Sequence, residues 1–410
     1  ATHGTAAQRV HAGIRILRFY LECGRAQHAR QLLTRVAEEL PEAAAPPYYE
    51  AALSEIRAEL LAHEGQLARA EEVAREALAH TTSDPPGATL HLRLLVSVGR
   101  YQLADGRLDD AHETFERALE RARALGHRHH EADILNHLGE VAARRTRYQE
   151  AIERFSAAVR LDRELGDRVA TGTKLANLGI TYTALGQYRR ARRFLSKALE
   201  LQRATRHAGR VGEVLVNLAT VDDALGDPDA AQDKLDQAID FARRHGDPRT
   251  ELRARSRALR LAVDRVRRGD DAARDELTLR AEAELILEAA RAHELRSPQV
   301  RVLHSLSLLA EHLGALDLAA QRAREAVALV RAGAASLDGV LSIHQLGRLL
   351  TQRGESSEGS ALLAEAAALT RRRLDELRRP SLRRGYLAQP DVRAVLGDAM
   401  AAKPDDRAQA

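Results

Sequence analysis

A glycine followed five residues later by an alanine recurs along this chain about every forty residues, and that recurrence limits what it can fold into. The pairs are Gly24–Ala29, Gly65–Ala70, Gly106–Ala111, Gly186–Ala191, Gly226–Ala231 and Gly314–Ala319, with Thr146 in the glycine position ahead of Ala151. With Gly269 and Gly354 counted as marks, the intervals run 41, 41, 40, 40, 40, 43, 45 and 40 residues. Nine residues past most marks an apolar residue returns, as in Phe115, Phe155, Leu195 and Leu235; twelve past, a small one, as in Ala118, Ala158, Ala198 and Ala238. Apolar residues lie at 3–4 spacing on both sides of a mark, for instance Leu175, Leu178 and Tyr182 before Gly186 and Tyr188, Ala191, Leu195 and Ala198 after it. Each mark therefore predicts two amphipathic helices joined by a tight reversal, which glycine favours because it tolerates positive φ. A lone helical hairpin cannot bury both its faces, so nine in succession must stack on one another.

Composition agrees. Hydrophobic residues make up 44 % of the 410, enough for a core, while aromatics make up 3 % and strand formers are thin, which predicts an all-α chain. One cysteine, Cys23, excludes an intrachain disulfide framework and a cysteine-based zinc site. No run approaches eighteen apolar residues, and Ala1-Thr2-His3-Gly4 opens no secretory h-region, so the expected location is cytoplasmic with no membrane contact. The chain starts at Ala1, which suits removal of an initiator or a segment of a longer protein.

Leu178-Gly179, Tyr182, Gly186-Gln187-Tyr188, Ala191 and Ala198 resemble the tetratricopeptide repeat, as do Leu138-Gly139, Tyr148, Ala151, Phe155 and Ala158. The period exceeds the usual 34, the extra residues lying between repeats at Leu125-Gly126-His127, Leu165-Gly166-Asp167 and His245-Gly246-Asp247. This longer variety is similar to arrays in spindle-orientation adaptors and in large bacterial signalling regulators of the STAND type. The resemblance implies a right-handed superhelical solenoid of about nine hairpins with a C-terminal closing helix. Its expected divisions are degenerate units over 1–89, regular units over 90–248, degenerate or long units over 249–370, a capping segment over 371–400 and a disordered tail over 401–410. In the seventh unit, where Arg274 replaces the alanine, the expected helix is about 25 residues long, from Asp271 to Arg296. Pro380 ends the last repeat helix, and Ser381–Leu396 is expected to cover the final repeat's open face.

If the turn glycine is position 15, the core positions of the first helix are 4, 7, 8 and 11, and positions 2, 6, 9 and 13 point away from them. By resemblance this second face lines the concave groove. Its candidate binding residues are Arg93, Ser97 and Arg100 in the third unit, then Asp133, His137, Glu140 and Arg144 in the fourth. Asn177 follows in the fifth, and Glu213, Asn217 and Thr220 in the sixth. Asn177 and Asn217 are equivalent, and an amide both donates and accepts, which suits the backbone of an extended peptide. The Lys/Asn clamp of the chaperone-tail class is not matched, since Ala176 and Ile180 stand where its first Lys and Asn would be.

Other chemistry finds little support. His127, His129, His130, Glu131, Asp133 and His137 cluster, but with no matched second ligand pair they read as a polar loop and helix start; no metal and no cofactor is expected. No phosphate loop, G-x-S-x-G elbow or H-E-x-x-H helix is present, so no enzyme is expected. Residues 371–393 carry eight arginines against Asp375, Glu376 and Asp391, yet aromatic stacking platforms are missing, and nucleic acid is not an expected partner. The expectation is a non-catalytic module that binds a protein or extended peptide, as the sensor or regulatory arm of a larger protein with an upstream ATPase, kinase or DNA-binding module. The alternative is a small-molecule effector sensor in a transcriptional regulator, which the scarcity of aromatics disfavours.

Overall fold

The computed structural model describes residues 5–22, 25–40, 47–81, 84–204, 210–270, 275–333 and 337–401. Among these the chain forms twenty α-helices and no strand. In order they are α1 (Ala6–Glu22), α2 (Ala26–Glu39), α3 (Pro47–His63), α4 (Leu67–Ala79), α5 (Pro85–Ala104), α6 (Leu108–Ala124) and α7 (Arg128–Arg144). Then come α8 (Tyr148–Leu165), α9 (Arg168–Ala184), α10 (Tyr188–Ala204), α11 (Val211–Ala224), α12 (Pro228–His245), α13 (Pro248–Arg268) and α14 (Glu276–Ala292). The last are α15 (Arg296–His312), α16 (Leu316–Arg331), α17 (Leu337–Gln352), α18 (Ser356–Asp375), α19 (Pro380–Ala388) and α20 (Pro390–Ala401). The chain divides into two compact units, Ala1–Arg145 and Thr146–Ala410. It is an all-α solenoid, with no helix among the described residues long and apolar enough to cross a membrane.

The marks are chain reversals. Gly186 and Gly226 have φ of +66° and +86°, and the next residue's N–H bonds back across the turn, Gln187 to the Tyr182 carbonyl and Asp227 to the Asp222 carbonyl, both at 2.9 Å. These bonds satisfy carbonyls that the helix end would leave orphaned. Gly24 and Cys23 lie outside the described residues. Thr146 adopts the left-handed conformation without being glycine, φ +62°.

The core is built on one recurring fit. A glycine on the first helix admits a large side chain sixteen residues later on the second: Gly99 faces Phe115, Gly179 faces Leu195 and Gly347 faces Leu363. A Cβ on Gly179 would stand 2.5 Å from Leu195 Cγ. Phe115 and Leu195 are fully buried, and each such side chain contributes about 1.5–3 kcal/mol. Ala111, Ala118, Ala191 and Ala198 have no exposed surface, so the small positions of the repeat let the helices approach closely.

The seventh unit departs from expectation. Its second helix, α14, has 17 residues rather than about 25, and residues 271–274 lie outside the described set. It ends where Glu294 turns left-handed at φ +54° and the Leu295 N–H reaches the Ala290 carbonyl at 2.8 Å. The reversal there uses no glycine, so the apolar pattern alone does not mark it.

The C-terminal residues form two helices, α19 and α20, separated at Gln389 by extended backbone ahead of Pro390. Within the second unit α20 packs on α17 and α18, where Val395 and Ala399 join Ile343, Leu346, Leu350, Leu362 and Ala366 in one core. The α19 segment reaches the start of the unit. Arg378 and Arg379 N–H donate to Gln149 Oε1 (3.1 and 3.2 Å), and Gln187 Nε2 donates to the Ser381 carbonyl (2.8 Å).

Candidate functional site

In the first unit, Arg100, His137, Glu140 and Arg144 converge on one cavity of about 360 Å³, together with Glu59 and Tyr101. Each polar side chain is held. Arg100 pairs with Glu59 at 3.3 Å, and the His137 ring stacks on Phe115 with centroids 5.0 Å apart. Glu140 accepts from Asn136 Nδ2 at 2.9 Å, and Arg144 donates to the Leu103 carbonyl at 2.6 Å. The wall thus carries both charge signs on side chains already fixed in place, which lowers the entropy lost when a ligand orders them. Arg93 lies outside this cavity and pairs with the buried Glu55 at 2.8 Å. Burial, the largest influence, raises the Glu55 carboxyl's pKa against the pull of Arg93 and Arg18. Ser97 is buried and Asp133 exposed.

In the second unit, Asn177 and Asn217 are both buried to 8 % exposure at equivalent sites on α9 and α11. The Asn217 Nδ2 donates to the Glu213 carbonyl of its own helix at 2.9 Å, and Thr220 Oγ1 to the Val216 carbonyl at 3.1 Å. Asn217 therefore has one amide proton and its side-chain carbonyl left for other partners. Glu213 takes Arg210 at 3.1 Å and Arg253 at 2.9 Å. Burial alone would raise its pKa, but the two guanidiniums pull it below the ordinary carboxylate range.

Beyond the sixth repeat the second unit carries a further charged face, and the tracked positions of the seventh and eighth units include its Arg260, Arg267 and Arg301. Arg253, Arg257, Arg260 and Arg267 form a cationic stripe along α13, with Arg260 and Arg267 at tracked positions 6 and 13 counted from Gly269 and Arg253 and Arg257 off them. Beside it on α15 stand Arg301 and His304, 7 % and 4 % exposed, and from α17 comes Asp338. Arg301 pairs with Asp338 at 2.6 Å and donates to Ser256 Oγ at 3.2 Å. Burial pushes His304 down to about 3, helped by Arg260, so its ring is neutral at pH 7. Burial works against the Asp338 carboxylate, yet Arg301 and Arg257 hold it down at about 2.

The other sequence candidates are dispersed. His127 and His130 meet edge to face, centroids 5.6 Å apart, and among the described residues no group of three or more His, Cys, Asp or Glu is disposed to hold a metal ion. Part of the C-terminal arginine run is engaged in docking α19, with Arg379 on Glu153 at 3.1 Å and Arg383 on the Leu374 carbonyl at 3.3 Å. A larger cavity, about 500 Å³, lies among Gln202, Val211, Leu215, Phe241 and Arg244 and contains none of the predicted residues.

Comparison with known proteins places this geometry. Residues 130–204 match the tetratricopeptide repeat model and residues 178–261 that of anaphase-promoting complex subunit 5. No curated protein matches the sequence. Among solved structures, a Rap protein complexed with competence and sporulation factor is similar at 13 % identity and TM-score 0.63, covering 90 % of this chain and 100 % of that one. The apo quorum sensor NprR from B. thuringiensis is similar at 15 % identity and TM-score 0.58, covering 78 % and 87 %. A STAND protein with a tetratricopeptide repeat sensor, PH0952 from Pyrococcus horikoshii, is similar at 16 % identity and TM-score 0.52, covering 70 % of this chain and 43 % of that one. Residues 130–204 thus match the tetratricopeptide repeat, and the chain, with its forty-residue period, left-handed turns and glycine-into-side-chain packing, shares the all-α repeat fold of these structures.

Proposed function

We propose that the chain is a non-catalytic scaffold that binds a protein or an extended peptide, and that it works in the cytoplasm as the sensor or regulatory arm of a larger bacterial signalling protein. The observation that carries this is the first-unit cavity, where Arg100, Glu140, Arg144 and Glu59 present both charge signs beside the apolar faces of Tyr101 and His137. Mixed charge on prearranged side chains suits a segment of mixed charge better than a polyanion. The likeness to a Rap protein complexed with competence and sporulation factor, to a quorum sensor and to a sensor of the STAND class supports a recognition role, on the level of fold. In the second unit, the paired Asn177 and Asn217 supply a separate place for peptide backbone.

The test is a library of short peptides of mixed charge titrated against the whole chain. Arg100→Glu with Glu140→Lys should weaken the best binders about tenfold, the range for losing partners of desolvated charged hydrogen bonds. Arg189→Ala with Arg193→Ala, both on an exposed face of α10, should change little. The reverse ranking overturns the proposed site. Stabilisation by metabolites in place of any peptide supports the small-molecule sensor instead.

A further inference from the structure

Three carboxylates around the α13 stripe, Glu213, Asp264 and Asp338, each hold an arginine, while one arginine of the stripe holds none among the described residues. Glu213 takes Arg210 and Arg253, Asp264 takes Arg260 at 2.8 Å, and Asp338 takes Arg301. Asp391 of α20 adds its charge to the surroundings of Arg260. Arg257 sits at the middle of the stripe, half-buried, between Arg253 and Arg301, and among the described residues it forms no hydrogen bond or ion pair. Asp223 of α11 lies within its electrostatic reach without pairing to it. The surroundings of Arg257 are costly for a cation. Burial, and then the Arg301 guanidinium, bring it down to about 9, which still leaves it charged at pH 7. A desolvated cation facing two like charges destabilises the fold unless something pairs with it.

The neighbouring groups indicate what would pair with it. Arg301 is locked on Asp338 and Ser256, and Arg253 on Glu213, so Arg257 presents an unused planar fork of donors. That fork matches the two oxygens of a carboxylate. We propose that Arg257 is an anion-recognition site on the inner face of the second unit, and that it takes a carboxylate of the bound peptide or protein segment. This deepens the peptide-binding reading and rests on it.

Three matched peptide sets test it on the whole chain: neutral sequences with an amidated end, the same with one internal Glu, and the neutral sequences with a free C-terminal carboxylate. Wild type should favour one or both carboxylate sets about tenfold, the free-end set pointing to a terminal carboxylate and the Glu set to a side chain. Arg257→Gln should abolish that preference while the neutral set binds as before. Arg257→Lys, which keeps the charge and loses the fork, should retain only part of it. Ligand-free Arg257→Gln should also melt no lower than wild type, since no pair is lost. Equal binding of all three sets by wild type, an undiminished preference in Arg257→Gln, or a lower melting point for that variant overturns the site. Absence of binding to any set takes away the peptide-binding reading itself, and the Arg257 proposal with it.

Discussion

His304 shows how one side chain can tie stability to pH. It is 4 % exposed and burial holds its folded pKa near 3, whereas in the unfolded chain it titrates near the ordinary histidine value of about 6.5. Between those values the unfolded state binds a proton that the folded state refuses, so stability is intact above pH 6.5 and falls as the pH drops towards 3. The expected slope from this group is on the order of 1 kcal/mol per pH unit. His304→Gln should flatten the acid limb of unfolding midpoint against pH; an unchanged slope would mean that carboxylates alone set it. Asp338 acts at lower pH, its depressed pKa withdrawing stability only as the pH falls from about 3.8 through 2. By contrast, Arg353–Asp317 is an exposed pair at 3.1 Å, with Asp317 92 % exposed, and such pairs contribute little.

At the scale of the element, the hairpin depends on the absence of one methyl group. Gly179→Ala places its Cβ within 2.5 Å of Leu195 Cγ and 3.3 Å of the Ala191 carbonyl, and overpacking of this kind costs about 1–3 kcal/mol. Alanine is the better helix former, so propensity alone predicts the opposite sign, a gain of about 1 kcal/mol. Chemical denaturation decides between them, and a more stable variant would show that α9 and α10 do not approach as closely as described. This packing was legible in the sequence because the repeat spells it out unit after unit. The end of α14 was not: Glu294 enters the left-handed region with an ordinary side chain, held there by the Leu295–Ala290 bond and its neighbours, and local composition carries no sign of it.

In the whole molecule, the second unit holds contacts between residues some two hundred positions apart. The Gly385 carbonyl and Gln389 lie against the Gly186 turn, Gln389 Nε2 donates to the Ala184 carbonyl at 3.3 Å, and the Tyr188 hydroxyl meets Gln389 Oε1 at 3.3 Å. Gly226 makes the same turn, and a Cβ added there would meet nothing within 4 Å. Both glycine-to-alanine changes put a Cβ at positive φ, at about 1–2 kcal/mol. Gly186→Ala should cost more, because its Cβ also meets the Gly385 carbonyl at 2.5 Å. Denaturation of Gly186→Ala and Gly226→Ala, with limited proteolysis of residues 378–400, separates the two effects. Equal losses and unchanged cleavage would mean that α19 does not bear on this turn.

The sequence by itself determined the hairpins and the glycine turns inside them, since these follow from interactions between residues at most a few tens apart, repeated in unit after unit. It also placed Arg100, His137, Glu140 and Arg144 at the tracked positions of two successive units, and the structure brings them to one cavity. Tertiary structure alone decided which charges find partners on other helices. Arg260 finds Asp264 four residues on in its own helix, but Arg253 reaches Glu213 only because α11 packs on α13, Arg301 reaches Asp338 only because α17 packs on α15, and Arg257 forms no ion pair among the described residues. The return of α19 to the Gly186 turn is of the same kind, for no local periodicity records a contact that depends on the accumulated rotation of every repeat between its two ends.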